Sequence, residues 1–124
     1  MPEANVRMTV RQVTASTSII DVEGDVSAFA EPVLMQAYMQ AYMQANTPST
    51  RTFILNCGGI EYMNSSGIGL LVTLLIRINR QKQHLLAYGL SEHYQHIFAL
   101  TRLNEAIGLY ADEGTALAAA AHLT

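Results

Sequence analysis

The sequence is poor in cysteine, in charge and in long apolar runs, and each shortage excludes a class of function. Its single cysteine, Cys57, rules out an intrachain disulfide and any multi-cysteine metal site, and points to a reducing interior. Only 14% of the residues are charged, and seven Lys and Arg face ten Asp and Glu for a formal net charge of −3. That balance excludes a protein held to nucleic acid by electrostatics. The most apolar stretch, residues 68–78, is interrupted by Gly69, Thr73 and Arg77 and falls short of the roughly 20 apolar residues a membrane helix needs. The start, Met1-Pro2-Glu3-Ala4-Asn5, has neither a basic region nor an apolar core and does not read as a signal peptide. What is abundant is apolar side chains: 50% of residues are hydrophobic, too many for a disordered chain with so few charges. A length of 124 residues suits one compact domain, residues 1–124, burying roughly two-thirds of its unfolded surface. The expectation is a small, soluble, acidic cytoplasmic domain.

Residues 6–13 alternate apolar Val6, Met8 and Val10 with Arg7, Thr9 and Arg11, the pattern of a half-exposed strand. Residues 17–22 carry β-branched Thr17, Ile19, Ile20 and Val22 and form the second strand of an opening hairpin, which Gly24 closes. Asp21, Glu23, Asp25 and Glu31 make the stretch around it acidic. Pro32 suits the first turn of a helix over 33–45. Its inner face is Leu34, Ala37, Tyr38, Ala41, Tyr42 and Ala45. Within it Ala37-Tyr38-Met39-Gln40 is repeated as Ala41-Tyr42-Met43-Gln44, so Met35, Met39 and Met43 form a stripe; flexible methionines there suit a docked partner, but the reading preferred is that they fill the edge of the core. Phe53-Ile54-Leu55 is a doubly buried strand that Cys57-Gly58-Gly59 breaks. A helix over 66–81, a strand over 85–88, a helix over 91–101 begun by Ser91, a strand over 107–110 and an alanine-rich helix capped by Asp112 follow. The order β-β-α-β-α-β-α-β-α predicts an α/β fold, with a mostly parallel, mixed sheet of four to five strands and helices packed against it.

The chemistry-bearing segment is Tyr62-Met63-Asn64-Ser65-Ser66-Gly67-Ile68-Gly69, between a buried strand and a helix. Unpaired N–H groups and the helix dipole favour negative charge there, so a phosphate on Ser65 or Ser66 is well placed. Gly67 and Gly69 let a large partner approach the backbone. Enzymatic readings fail on spacing. A dinucleotide fingerprint needs glycine where Val72 stands, and no Gly-Lys-Ser/Thr loop occurs. A nucleophile elbow on Ser65 meets Met63, and one on Ser66 meets Asn64 and Ile68, where glycine is required. His93 and His96 share a helical face without a third ligand, and Cys57 has no positive neighbour in sequence. No catalytic set, metal or cofactor is expected.

Taken together, Phe53-Ile54-Leu55-Asn56, the Tyr62-to-Gly69 loop and Gly24 after the second strand resemble the STAS domain, specifically the small bacterial anti-anti-sigma factors (anti-sigma factor antagonists). The resemblance runs over about residues 6–123. It implies a non-enzymatic binding module whose unmodified form binds an anti-sigma factor, usually a GHKL-type serine kinase, and so frees a sigma factor. It also implies phosphorylation at Ser65, with Ser66 as second choice, reversed by a metal-dependent Ser/Thr phosphatase. No nucleic acid, membrane or cofactor is implied, and the expected state is a monomer or weak homodimer. Two positions depart from the family pattern: Asn64 stands for the Asp before the phosphorylated Ser, and Ser27 stands for the second acid of Gly-Glu-Leu-Asp. Each removes a negative charge near the acceptor.

Helical periodicity puts Ile68, Leu71, Leu74, Leu75 and Ile78 against the sheet and leaves Gly69, Thr73, Ile76 and Arg80 outside, with Val72 at the border. That outer strip, together with Asn64, Ser65, Ser66, Gly67, Asp25 and Ser27, is the candidate partner-binding surface. The competing expectation is a STAS module that senses a nucleotide or other ligand and acts as an interaction scaffold without being phosphorylated.

Overall fold

The computed structural model describes residues 5–44, 47–48 and 50–123. Five strands form one sheet in the order β1-β2-β5-β6-β7: β1 Val6–Gln12, β2 Thr17–Val26, β5 Thr52–Met63, β6 His84–Tyr88 and β7 Gly108–Tyr110. β1 is antiparallel to β2, and every other neighbouring pair is parallel. The opening hairpin and the helical crossovers predicted from the element order are therefore present. The helices are α1 Glu31–Tyr42, α2 Ser65–Arg80, α3 Glu92–Leu100, α4 Leu103–Ala106 and α5 Glu113–Ala121. The one-turn α4 was not foreseen; it follows Arg102, whose φ of 62° turns the chain.

The alternation of side chains along the strands separates two apolar layers. Ile20, Phe53, Leu55, Leu85 and Ala87 pack beneath α1, α2 and α3, with Leu34, Tyr38, Leu71, Leu74, Ile78 and Phe98. Ile19, Ile54, Leu86 and Tyr88 face the other way and meet Ala116 and Ala120 of α5. The capping box of Asp112 and Thr115 starts α5.

Four expectations are corrected. Gly24 does not close the second strand, and Cys57-Gly58-Gly59 does not break the third. Both strands continue, to Val26 and to Met63, because their pairing shifts register between Asp21 and Glu23 and again between Gly24 and Asp25. The glycines sit in these irregularities: Gly24 has φ +96°, and a Cβ on Gly59 would stand 2.9 Å from the Val22 carbonyl oxygen. The first helix starts earlier than read, at Glu31, and stops at Tyr42, with Leu34, Ala37, Tyr38 and Ala41 buried and Tyr42 half-buried. Met43–Gln44 (β3) then pairs with Thr47–Pro48 (β4), while Ala45 lies outside the described residues, as do Met1–Ala4. Lastly, of the methionine stripe only Met35 packs against the core; Met39 and Met43 are exposed.

Candidate functional site

The carboxyl ends of β2 and β5 run side by side, with Asp25 opposite Tyr62 and Val26 opposite Met63. The Asn64 N–H donates to the Val26 carbonyl at 3.3 Å, so the chain leaves the sheet at a fixed point. Asn64 is then extended and its Oδ1 accepts from the Gly67 N–H at 2.9 Å, making it the N-cap of α2. The sequence pattern predicts a helix from Ser66; the structure starts it one residue earlier, at Ser65. Both serines are exposed in its first turn, with no side-chain hydrogen bond among the described residues. That turn contains no acidic residue, so the positive end of the dipole is left without a charged complement, while Arg77 and Arg80 in the last turn complement the negative end. From beneath, the buried Tyr94 hydroxyl of α3 accepts from the Met63 N–H at 2.7 Å and anchors the loop.

The remaining residues of the candidate surface divide by burial. Gly69, Thr73, Ile76 and Arg80 are exposed along α2 and Val72 is half-buried, as the periodicity predicts. Leu71, Leu74, Leu75 and Ile78 are buried as read, joined by Leu70, while Ile68 is only partly buried. Gly67 is a correction: it is buried, and a Cβ there would lie 2.0 Å from the Val26 carbonyl oxygen. Its role is to let α2 sit on β2, and it offers no partner contact. Asp25 accepts from the Asn5 side chain at 3.1 Å, and the Ser27 hydroxyl caps the 3-10 turn Ala28–Ala30 by accepting from the Phe29 N–H. That turn packs on α2 and leaves Phe29 53% exposed. Tyr62, opposite Asp25, is 55% exposed. Sequence reasoning passed over both aromatics as surface residues. The usable signal was that a large ring directly beside a polar, glycine-containing loop has little core to enter.

Cys57 is buried inside β5, and burial pushes its thiol up to about 12, which removes nucleophilic character at neutral pH. His93 and His96 are exposed, and no group of three His, Cys, Asp or Glu among the described residues is placed to hold a metal ion. No helix among them is long and apolar enough to cross a membrane. On the α5 side of the sheet Arg11 joins Asp21 at 2.6 Å and Glu113 at 2.7 Å. Asn56 donates to Asp21 at 2.7 Å and the Tyr88 hydroxyl donates to Glu113 at 2.8 Å.

A mixed five-stranded sheet with a capped helix start beside two strand ends makes this a small α/β domain. The chain belongs to the STAS domain family, which it matches over residues 7–116. It is 26% identical over 96 residues to the anti-sigma-B factor antagonist of Staphylococcus aureus, covering 77% of this chain and 83% of that protein. An anti-sigma factor antagonist from Mycobacterium paratuberculosis superposes with a TM-score of 0.75 at 19% identity, over 92% of each chain. The phosphorylated form of the Bacillus cell fate determinant SpoIIAA gives a TM-score of 0.69 at 20% identity, over 91% of this chain and 98% of that one. Anti-sigma factor antagonists of the STAS family are non-enzymatic regulatory proteins, consistent with a loop that has serines but none of the spacings a nucleophile or nucleotide requires.

Proposed function

We propose that the protein is an anti-sigma factor antagonist. Its unmodified form binds an anti-sigma factor, a GHKL-type serine kinase, and releases a sigma factor. Phosphorylation of Ser65 ends that binding, and a metal-dependent phosphatase restores it. The docking surface is the exposed strip from Ser65 and Ser66 through Gly69, Val72, Thr73 and Ile76, edged by Asp25, Ser27, Phe29 and Tyr62. The observation that carries this reading is the pairing of an exposed, unbonded Ser65 with a fixed helix start and an exposed Gly69 one turn on. Nothing lies within 4 Å of a Cβ built at Gly69, so the fold itself does not require glycine there, whereas close approach by a partner backbone does.

A phosphate on Ser65 adds close to two negative charges where the helix dipole tolerates them, so the free protein keeps its fold. On docking, that charge must be stripped of water, at a cost of several kcal/mol unless the partner pairs it. A micromolar complex is held by only about 8 kcal/mol. Asn64 in place of the family's Asp supplies the same cap with one charge fewer, so the substitution leaves the geometry of the acceptor intact. Calorimetric titration with the anti-sigma factor of the same host tests the reading. Ser65→Ala should bind as the wild type does, and Ser65→Asp should lose about a hundredfold or more; equal binding by Ser65→Asp would overturn it.

A further inference from the structure

The groove between α1 and the C-terminal half of α2 is lined by Tyr38, Met39, Tyr42, Arg77, Arg80 and Gln81 and encloses about 400 Å³. We propose that it is a second docking site, for an acidic segment of another protein that carries apolar side chains. The site lies at the opposite end of α2 from the serine loop and shares only Arg80 with the outer strip of that helix.

Its floor is rigid. Tyr38 is buried, its hydroxyl donates to Gln83 Oε1 at 3.3 Å, and its ring packs 5.9 Å from Tyr42 and 5.1 Å from Phe53. Its rim is apolar on one side and basic on the other. Met39 is 49% exposed, and Met43, just past the end of α1, is also exposed. Within α1 the four-residue spacing of Tyr38 and Tyr42 brings both rings to the side of the groove, with Met39 beside them. Flexible thioethers beside aromatic rings suit side chains of varied shape.

Arg77 and Arg80 are exposed and have no carboxylate partner among the described residues, unlike Arg11 and Arg102. Arg51 and Lys82 lie at the same end of the molecule, where the Arg51 guanidinium donates to the Lys82 carbonyl at 3.3 Å. Four of the seven Lys and Arg of a chain with net charge −3 therefore gather where α2 stops. A cluster of unpaired guanidiniums beside an apolar groove is the complement of carboxylates spaced along an amphipathic segment. Because Met39, Arg77, Arg80 and Gln81 are all exposed, the groove is open along its length. It covers one face of a chain rather than enclosing a small molecule. From Ser65 to Arg80 the helix rises about 22 Å, more than twice the Debye length of ~8 Å at physiological salt. A phosphate at the far end of α2 is thus screened from this site.

The probe is a displayed library of random peptides about sixteen residues long, selected on the full chain at low salt. Recovered peptides should be rich in Asp and Glu alternating with Leu, Phe or Met at helical spacing. Their affinity should fall at least about tenfold on Arg77→Glu with Arg80→Glu, and on Met39→Glu, should fall with added salt, and should be unchanged on Ser65→Asp. Peptides without acidic excess, or bound equally by both groove variants, would overturn the proposal. Titration with GTP or phosphatidylglycerol vesicles, and sedimentation of the chain alone, run beside it. Tighter groove-dependent binding of nucleotide or vesicle, or groove-dependent self-association, would assign another occupant and overturn it as well. Loss of Ser65-dependent binding to an anti-sigma factor has no bearing on these outcomes.

Discussion

A methyl group added at Gly67 would lie 2.0 Å from the Val26 carbonyl oxygen, whereas one added at Gly69 would meet no atom within 4 Å. Two glycines of one motif thus answer to different demands. Gly67→Ala forces α2 away from β2 and should destabilise the protein by about 3 kcal/mol, because the obstructing atom is backbone and cannot rotate aside. Gly69→Ala relieves the entropic cost of glycine within a helix and should stabilise by about 0.5–1 kcal/mol. If Gly69 is kept for a partner, the same change weakens anti-sigma factor binding. Urea unfolding and calorimetry on the two variants separate the cases; destabilisation by Gly69→Ala would show that the residue serves the fold after all. Sequence alone grouped both glycines as places for close approach, since the distinction depends on what lies across the space from each. The cap was similarly half-legible. Asn64 was identified by its place in the motif, but its role in starting the helix one residue earlier depends on its extended backbone and its bond to Gly67.

At the scale of elements, periodicity located most of the face by which a helix meets the sheet, though on α2 it missed Leu70 and overstated Ile68. Leu71, Leu74, Leu75 and Ile78 are buried as the 3.6-residue repeat requires, and Ser91 and Asp112 cap the helices they precede. It failed where the outcome depended on distant pairing. The passage of β2 and β5 through Gly24 and Gly58-Gly59 is decided by bulges between strands more than 30 residues apart, and local glycine content reads as a stop. The exposure of Met39 and Met43 was missed for a related reason: a repeat gives direction around a helix but not the width of the surface that covers it. The outer face of α2 is where element and function meet. Ile76 is 46% exposed in the middle of that face. Ile76→Glu should leave the circular dichroism spectrum and thermal midpoint within about 0.5 kcal/mol of the wild type, while weakening anti-sigma factor binding at least tenfold. Unfolding of this variant would place Ile76 in the core instead.

The whole molecule is tied across its second face by one polar cluster. Arg11 on β1 bonds Asp21 on β2 and Glu113 on α5, Asn56 on β5 bonds Asp21, and Tyr88 on β6 bonds Glu113. Four strands and the last helix are therefore joined by one network centred on the Arg11 guanidinium, with β5 entering it through Asp21. The Arg11 hydrogen bonds are the main reason that both the Asp21 and the Glu113 carboxyl are held below the ordinary carboxylate range. Burial pushes the Tyr88 phenol up to about 12, so it remains a neutral donor to Glu113. Carboxyls whose folded-state values are depressed stabilise the fold above their unfolded values, about 3.9 for Asp and 4.3 for Glu, and that stability is lost as pH falls through the folded values. Arg11 and Glu113 side chains are 41% and 40% exposed, so water screens much of the interaction and the cluster contributes about 1 kcal/mol at neutral pH. Arg11→Met keeps the apolar stem and removes the charge. It should lower stability by about that amount at pH 7, and the gap to the wild type should narrow steadily from about pH 5 downward as Asp21 and Glu113 protonate in the parent. Thermal unfolding of both proteins at pH 7, 4 and 3 measures the gap. A gap that stayed constant with pH would mean that the ionisation of Asp21 and Glu113 does not set what Arg11 contributes, and that the charge network adds nothing to the coupling of β1 with α5.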